Sequence, residues 1–418
     1  MLENLKNLNW KKIGLVLIFV VFMVAFALGL YFLFFKQVLA PEVVTNANIN
    51  GEQRLPGTAN GNATVVNINS IINSGLPLLA NVNGADISDV ARGGLTFADK
   101  LDAGAALGDS MVMIGGEVYY YNRLDGKFYR LNESGNKTLL DNTTFYNADQ
   151  VTWSPLGDKA IIEYPDQTNI LYNFTTDEQI TLPKELSDFS FNKNGTQISS
   201  ELVTENEGSN WLITANPNGS GITYIEPLGD KASEVETGWS ADNQIVAIYR
   251  ESVDFEKQEI FPLGQNNENF PSLIVNGRGY EGSWSPNTNS LLYSVYNKES
   301  GYRPTLYLSK TGPSGTSAVY DTGLYTWSDK CAFAGTNAYC AAPINMPEYS
   351  GLYRELGENT AYTFYEIDLD TGNSQMLAIP VGANGQFFGV DNLVVSQNED
   401  ILYFTDSLTG EIYSLQLK

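Results

Sequence analysis

The chain has 418 residues and a formal net charge of −24, and it contains no histidine. The missing histidine excludes Ser-His-Asp and Cys-His catalysis and every metal site with imidazole ligands. The acidic balance argues against binding nucleic acid or anionic lipid through bulk charge, and keeping the protein soluble is its simplest use. A content of 12% aromatic and only 17% charged residues suits a β-rich protein with an appendage.

The N-terminal segment predicts a membrane anchor. Residues 1–12 are polar and basic, and residues 13–35 follow without a charge. A helix of that length spans about 35 Å, enough for a hydrocarbon core. The run is longer than the apolar core of a signal peptide, about 7–15 residues, and it is bulky to its end. We therefore expect a retained signal anchor in the lipid bilayer, with cleavage near residues 38–40 as the alternative. The preceding lysines predict a cytoplasmic N-terminus and an extracytoplasmic remainder.

Residues 36–104 form a predicted linker. Up to about residue 63 the chain is rich in Asn, Gly, Thr, Ala and Pro, which is typical of a flexible spacer. Residues 64–104 are more apolar, and we expect loosely structured chain with one or two strands there.

A short sequence motif, which we call the recurring phrase, repeats along residues 105–418. It consists of an aromatic residue, then Ser or Asn, then a turn, then an apolar run. The repeat aromatics are Trp153, Phe191, Trp239, Trp284 and Trp327, which lie 38 to 48 residues apart. This spacing is about the length of one four-stranded propeller blade.

Each part of the phrase can be assigned to a strand or a turn of a propeller blade. The aromatic residue ends one strand and fills the gap between two packed sheets. Ser, Pro, Asp, Asn and Gly supply the turn. The apolar run is the next strand, which is nearly continuous because an inner propeller strand is covered on both faces. The alternative is a β-sandwich whose turns resemble one another.

The phrase resembles the Trp-Ser-Pro-Asp-Gly repeat of TolB-like propellers, a group within the WD-like repeat proteins. The resemblance is best at Trp153–Gly157 and Trp284–Asn287 and is degenerate at Phe191 and Trp327. It implies an all-β propeller without catalysis that serves as a binding platform in the cell envelope.

Counting strands between the repeats predicts seven four-stranded antiparallel blades. Blade one starts near residue 108, the repeat aromatics lead blades two to six, and blade seven begins near residue 387. The C-terminus supplies only three strands of the last blade. Because an open ring would expose a strand edge, we expect a strand from about residues 64–100 to close it.

Cys331 and Cys340 are the two cysteines of the chain. The segment between them reads as strand, Gly-Thr-Asn turn, strand, so the sulfurs fall opposite each other on a hairpin. An exported location permits a disulfide. We expect a structural disulfide, with two free thiols as the alternative.

Two segments, 254–269 and 343–360, read as insertions into the blades. Propellers usually bind through loops, and Tyr and Arg dominate binding hot spots. Tyr349, Tyr353 and Arg354 are therefore the predicted partner contacts. The alternative is a solvated loop that only covers a blade edge.

No motif predicts catalysis, a cofactor or a metal. Asp368–Gly372 lacks the later ligands of a calcium loop and reads as a hairpin turn. The Gly-Gly pairs open no helix, and no carboxylate pair stands out in so acidic a chain.

The sequence thus predicts a membrane-anchored, extracytoplasmic propeller that binds envelope proteins and no nucleic acid. The alternatives are a carboxylate-based glycan hydrolase or lyase, and a glycan-binding propeller without turnover.

Overall fold

The computed structural model describes residue 23 and residues 87–418, except 108, 109, 267, 269 and 312–316. Within these residues the chain forms seven sheets, each built on a four-stranded antiparallel blade of a β-propeller, which confirms the predicted fold class. One of the sheets carries an additional parallel strand. The predicted cytoplasmic segment, the anchor at 13–35 apart from residue 23, and the linker up to residue 86 lie outside the described residues. No helix within the described ranges combines the length and the apolar character that crossing a bilayer requires.

Two strands precede the first blade, β1 (Gly94–Phe97) and β2 (Asp99–Asp102). Blade one contains β3 (Val112–Ile114), β4 (Glu117–Asn122), β5 (Lys127–Leu131) and β6 (Lys137–Leu139). Blade two contains β7 (Gln150–Trp153), β8 (Lys159–Glu163), β9 (Asn169–Asn173) and β10 (Glu178–Leu182). Blade three contains β11 (Leu186–Phe191), β12 (Ile198–Leu202), β13 (Trp211–Ala215) and β14 (Thr223–Pro227). Blade four contains β15 (Val235–Thr237), β16 (Ile245–Ser252), β17 (Gln258–Gly264) and β18 (Leu273–Val275).

Blade five contains β19 (Arg278–Trp284), β20 (Ser290–Tyr296), β21 (Thr305–Thr311) and β22 (Ser317–Tyr325). Blade six contains β23 (Cys331–Ala334), β24 (Asn337–Pro343), β25 (Tyr362–Asp368) and β26 (Ser374–Val381). Blade seven begins with β27 (Val390–Val395), β28 (Ile401–Asp406) and β29 (Ile412–Gln416). The described helical segments are α1 (Glu355–Glu358) and 3₁₀ turns at Glu207–Ser209, Ala232–Glu234 and Ser328–Lys330.

A strand from the N-terminal side completes the last blade. β2 pairs antiparallel with β29, with Asp99 opposite Ser414, so blade seven has the order β2-β29-β28-β27. The ring-closing strand thus lies at the end of the range in which the sequence places it. The sequence predicts one or two strands in residues 64–104, but not that β1 pairs in parallel with β26 as a fifth strand of blade six.

The first strands of neighbouring blades contact one another, as β7 does β11 and β27 does β3, so they line the central channel. Apolar clusters fill the space between every two neighbouring blades, including blades seven and one. The apolar runs of the repeat form the second strands, such as β8 and β20. These strands are the most buried, although they lie one position out from the channel, because sheets cover both of their faces.

The repeat aromatics occupy two kinds of position. Trp153, Phe191 and Trp284 each end the first strand of a blade, as predicted. Trp239 follows its strand, and Trp327 precedes a 3₁₀ turn instead of ending a strand, which corrects the prediction for those two copies. The reason is local: β15 is short, and in blade six the 3₁₀ turn takes the place of the strand end.

The disulfide between Cys331 and Cys340 is present, which confirms the prediction. The two residues are direct partners across β23 and β24, and their Cα atoms are 4.1 Å apart. The bond therefore links the first two strands of blade six.

The segment 254–269 is not an insertion, which corrects the sequence analysis. Its residues Gln258–Gly264 form β17, which pairs with β16 along its length. The polar and charged composition misled the prediction, because the outward face of this strand is partly solvated. The connection around Phe255 and the turn that follows Gly264 are the described parts of the segment outside the strand.

Candidate functional site

The propeller has two faces that differ in their loops. Because each blade is a four-stranded antiparallel meander, its connections alternate between two ends. The repeat face carries the first-to-second and third-to-fourth connections, with the turns of the recurring phrase. The insertion face carries the second-to-third connections and the links between blades, with the segment 343–360.

Exposed apolar side chains in the described loops lie mainly on the insertion face. Two large apolar residues are exposed in loops of the repeat face, Leu156 and Ile222. Ten are exposed in loops of the insertion face: Leu124, Tyr146, Val203, Val253, Phe255, Tyr349, Leu352, Tyr353, Leu356 and Leu408. Single exposed apolar residues need no explanation, so the informative observation is that these residues lie mostly on one face.

The insertion 343–360 presents four of these residues on a fixed framework. Tyr353 is 57% exposed, and the Tyr349 ring stacks on Tyr302 of blade five with centroids 5.5 Å apart. Backbone N–H groups of Tyr349 and Gly351 donate to carbonyls of residues 301 and 302, at 3.0 and 2.8 Å. These bonds hold the insertion against the neighbouring blade, so its exposed aromatic rings have defined positions.

Arg354 does not share the exposed position of the two tyrosines. Its guanidinium pairs with Glu281 of blade five at 3.1 Å, with Glu358 at 2.6 Å and with Asp329. It also lies 4.7 Å from the centre of the Trp327 ring. Of the three predicted partner contacts, the structure therefore exposes Tyr349 and Tyr353 and uses Arg354 to fasten the insertion to blades five and six.

Four carboxylates on blades two to four lie near the insertion-face ends of their strands, and we call them the acidic arc. Each of the three glutamates is close enough to Asp188 to interact with it electrostatically. The arc consists of Glu163 at the end of β8, Asp188 in β11, Glu201 in β12 and Glu236 in β15. Asp188 lies in a β-bulge with φ of 51°, which re-aims its side chain. Its Oδ2 accepts from the backbone N–H of Thr237 at 2.7 Å, which ties blade three to blade four.

Burial and mutual repulsion disfavour the charged forms of the arc. Burial, and then Asp188 and Asp149, raise the pKa of Glu163 to about 7. Burial and Asp188 raise the pKa of Glu201 to about 8. Burial likewise raises the pKa of Glu236 to about 7 and raises that of Asp188, although Arg250 opposes both shifts.

Arg250 is the basic residue that faces the arc from β16. Its Nη1 donates to the carbonyl of Tyr280 at 2.8 Å and its Nη2 to the carbonyl of Ser233 at 2.9 Å. Its nearest carboxylate partner is Glu234, at 3.9 Å, outside the arc. One arginine that is committed to carbonyl groups leaves the four carboxylates short of positive charge and of hydrogen-bond donors.

Several polar atoms in and beside the arc have no partner. Among the described residues, no donor reaches Oε1 of Glu163, Oε2 of Glu236 or the hydroxyl of Tyr280, although all three are buried. The Glu201 side chain, in a residue 8% exposed, also makes no hydrogen bond or ion pair within the described part of the chain. Unsatisfied buried acceptors are uncommon and call for a physical account.

The carboxylates near the insertion-face ends of blades five to seven are better paired with cations. Lys330 is almost fully buried, and its ammonium donates to the Asp391 carbonyl at 2.6 Å and lies 3.4 Å from the Asp391 carboxylate. Arg354 serves Glu281 and Asp329 nearby, as described above. The described residues contain no group of three or more carboxylate or thiol side chains close enough to hold a metal ion. The unpaired negative charge is therefore concentrated on blades two to four.

Comparison with known proteins identifies the fold but no family. No family model matches the chain, and no curated protein matches it. The β-propeller domain of Cps50 (Swd1) from Myceliophteria thermophila is 11% identical over 77% of this chain and 100% of that chain, with a TM-score of 0.52. An oligogalacturonate lyase from Vibrio parahaemolyticus is 12% identical over 76% of this chain and 93% of that chain, with a TM-score of 0.47. At these identities the first likeness supports the propeller fold alone.

Proposed function

We propose that this propeller binds a protein partner through its insertion face. The observation that carries the proposal is the concentration of exposed apolar loop residues on that face, ten against two on the repeat face. Tyr349 and Tyr353 are of the type that dominates binding hot spots. Their defined positions lower the entropy that association must overcome.

Site-specific photo-crosslinking tests this proposal. Benzoylphenylalanine replaces Tyr353 or Phe255 on the insertion face, and Leu156 or Ile222 on the repeat face as matched controls with exposed apolar side chains. After irradiation in the native cell, we expect one discrete crosslinked species from the first pair and none from the second. Equal yields from both faces, or none from either, would contradict the proposal.

We further propose that residues 13–35 anchor the propeller on the outer side of a membrane. The support comes from the uncharged run and the basic residues before it. A cysteine placed at Leu124 should react with a membrane-impermeant maleimide on intact cells. A cysteine placed at Asn4 should react only after permeabilisation. The reverse pattern would show the opposite orientation.

A second candidate is a carboxylate-based enzyme acting on glycans. Glu163 and Glu201, with pKa values raised to about 7 and about 8, would hold a proton near neutral pH, as a general acid must. Turnover on a glycan panel that is lost in Glu201→Gln and kept in Glu178→Gln would establish this function. Binding to a glycan array without turnover would instead indicate a glycan-binding propeller.

A further inference from the structure

We propose that the acidic arc receives an arginine or lysine side chain of the protein partner. This inference rests on the proposed function and specifies the chemistry of the partner at the centre of the insertion face.

The first argument is charge. When ionised, Glu163, Asp188, Glu201 and Glu236 carry four negative charges, and Arg250 supplies one positive charge. Arg250 already donates to the carbonyls of Tyr280 and Ser233. Buried carboxylates are normally paired, and an uncompensated one is strongly destabilising. The arc therefore has room, in charge, for an added cation.

The second argument is hydrogen bonding. Tyr280 is 0% exposed and its hydroxyl has no partner among the described residues. That hydroxyl lies close to Gly282, where a Cβ would meet it at 2.5 Å, and the Gly282 backbone hydrogen-bonds Glu236. Glu236 Oε2 is unsatisfied as well, so two buried polar atoms lack partners at the blade-four end of the arc, and Glu163 Oε1 is a third at the blade-two end. A guanidinium with five N–H donors, or an ammonium with three, would supply them.

The third argument concerns the source of the cation. The described residues contain no group of three or more acidic side chains that could hold a metal ion. A guanidinium or an ammonium needs only one or two carboxylates at a time. Glu163, Glu201 and Arg250 lie where the second strands approach the insertion face. The neighbouring loop carries Phe255, which is 99% exposed. A cationic side chain from a partner seated on the apolar loops would therefore reach the arc.

The first test uses the full chain and three small probes, Nα-acetyl-arginine amide, Nα-acetyl-lysine amide and the uncharged Nα-acetyl-citrulline amide. Binding is measured by ligand-observed NMR at pH 9. We expect the two cationic probes to bind and the citrulline probe not to bind. The double variant Glu201→Gln/Glu236→Gln should weaken binding by about tenfold or more. The control Glu133→Gln/Glu178→Gln removes the same charge from exposed sites and should bind as the parent does.

The second test places benzoylphenylalanine at Tyr353 in the Glu201→Gln/Glu236→Gln background. We expect the yield of the crosslinked species to fall by about tenfold. An unchanged yield would overturn the role of the arc while leaving the insertion face as the binding surface. Probe binding that is absent, or equally weakened in the control pair, would also overturn it. The single variant Glu163→Gln repeats both measurements at the edge of the arc, so a folding defect of the double variant would not decide the outcome.

Discussion

At the residue scale, the repeat tryptophans combine two tasks that the sequence suggests only in part. Their spacing predicted that they pack between blades. It did not indicate that the Trp153 indole N–H donates to the Ser110 carbonyl of blade one at 2.8 Å, or that Trp239 bonds Ser190 in the same way. Such bonds depend on the offset between blades, which is a property of the ring. At Trp153 and Trp239 the recurring aromatic thus hydrogen-bonds the preceding blade as well as filling space.

Trp284 offers an internal control for that bond, because its buried indole nitrogen has no partner among the described residues. Trp153→Phe should lower the free energy of unfolding by about 1–2 kcal/mol more than Trp284→Phe, since it leaves the buried Ser110 carbonyl without its donor. Urea unfolding of the two variants measures the difference. Equal losses of unfolding free energy would mean that packing volume alone accounts for what both tryptophans contribute to stability.

The acidic arc should make stability depend on pH. The pKa of Glu201 is raised to about 8 in the folded protein, against about 4.3 in an unfolded chain. The folded state therefore holds the proton more tightly, and Glu201 lowers stability progressively as the pH rises from about 4 to about 8. Glu201→Gln should remove this slope, so the variant gains stability relative to the parent across that window and the difference is constant outside it. Glu178→Gln, at an exposed position on β10, should leave the slope unchanged when unfolding midpoints are followed between pH 4 and 9.

Nothing in the sequence selects these carboxylates from the 48 acidic residues of the chain. Glu163 and Glu201 each lie near the C-terminal end of a second strand, which is a weak signal visible once the blades are known. Asp188 joins them because a β-bulge in β11 re-aims its side chain. Glu236 joins them because blade four packs against blade three. The Cys331–Cys340 disulfide was predictable because both partners lie on one hairpin. Contacts within a supersecondary unit can be inferred from spacing, whereas contacts between units cannot.

At the element scale, Arg354 adds a charged fastening to the backbone hydrogen bonds that hold the insertion 343–360 against blade five. Arg354 bridges Glu281, Asp329 and Glu358 and covers the Trp327 ring. The sequence predicts that Arg354 contacts a partner. That prediction could not take account of Glu281 and Asp329, because they lie far from Arg354 along the chain. The insertion therefore has an inward charged end and an outward apolar end.

Removing that fastener should cost more than removing a surface pair. Arg354→Met leaves three carboxylates without their cation and should lower the free energy of unfolding by about 1–3 kcal/mol, allowing for partial exposure. Arg130→Met breaks a single ion pair of similar exposure, with Glu117, and should cost less than about 1 kcal/mol. Chemical denaturation compares the two, and proteolysis within residues 343–360 should accelerate only in the first. If both variants lose the same stability, the network of three carboxylates around Arg354 has no special role.

At the scale of the whole molecule, the ring is closed by chain from before blade one. The repeat period predicted seven blades, and the shortage of one strand at the C-terminus predicted a closing strand. Its position could be bounded but not fixed, because Asp99–Asp102 is short and charged and has no strand pattern of its own. β1 lies in the stretch that was expected to hold one or two strands, but its parallel pairing with β26 has no signal in its own sequence.

Ring closure gives the last prediction. A chain that begins at residue 104 lacks β1 and β2, so it exposes the edge of β29 and leaves blade seven with three strands. A chain that begins at residue 87 keeps both strands and is the matched control. The shorter chain should unfold at a lower denaturant concentration and should associate through the free edge, because unpaired strand edges are templates for other chains. The two chains can be compared by unfolding midpoint and by light scattering at equal concentration. If they share one midpoint and both stay monomeric, the closing strand adds nothing to the ring, and the interfaces between blades alone hold it.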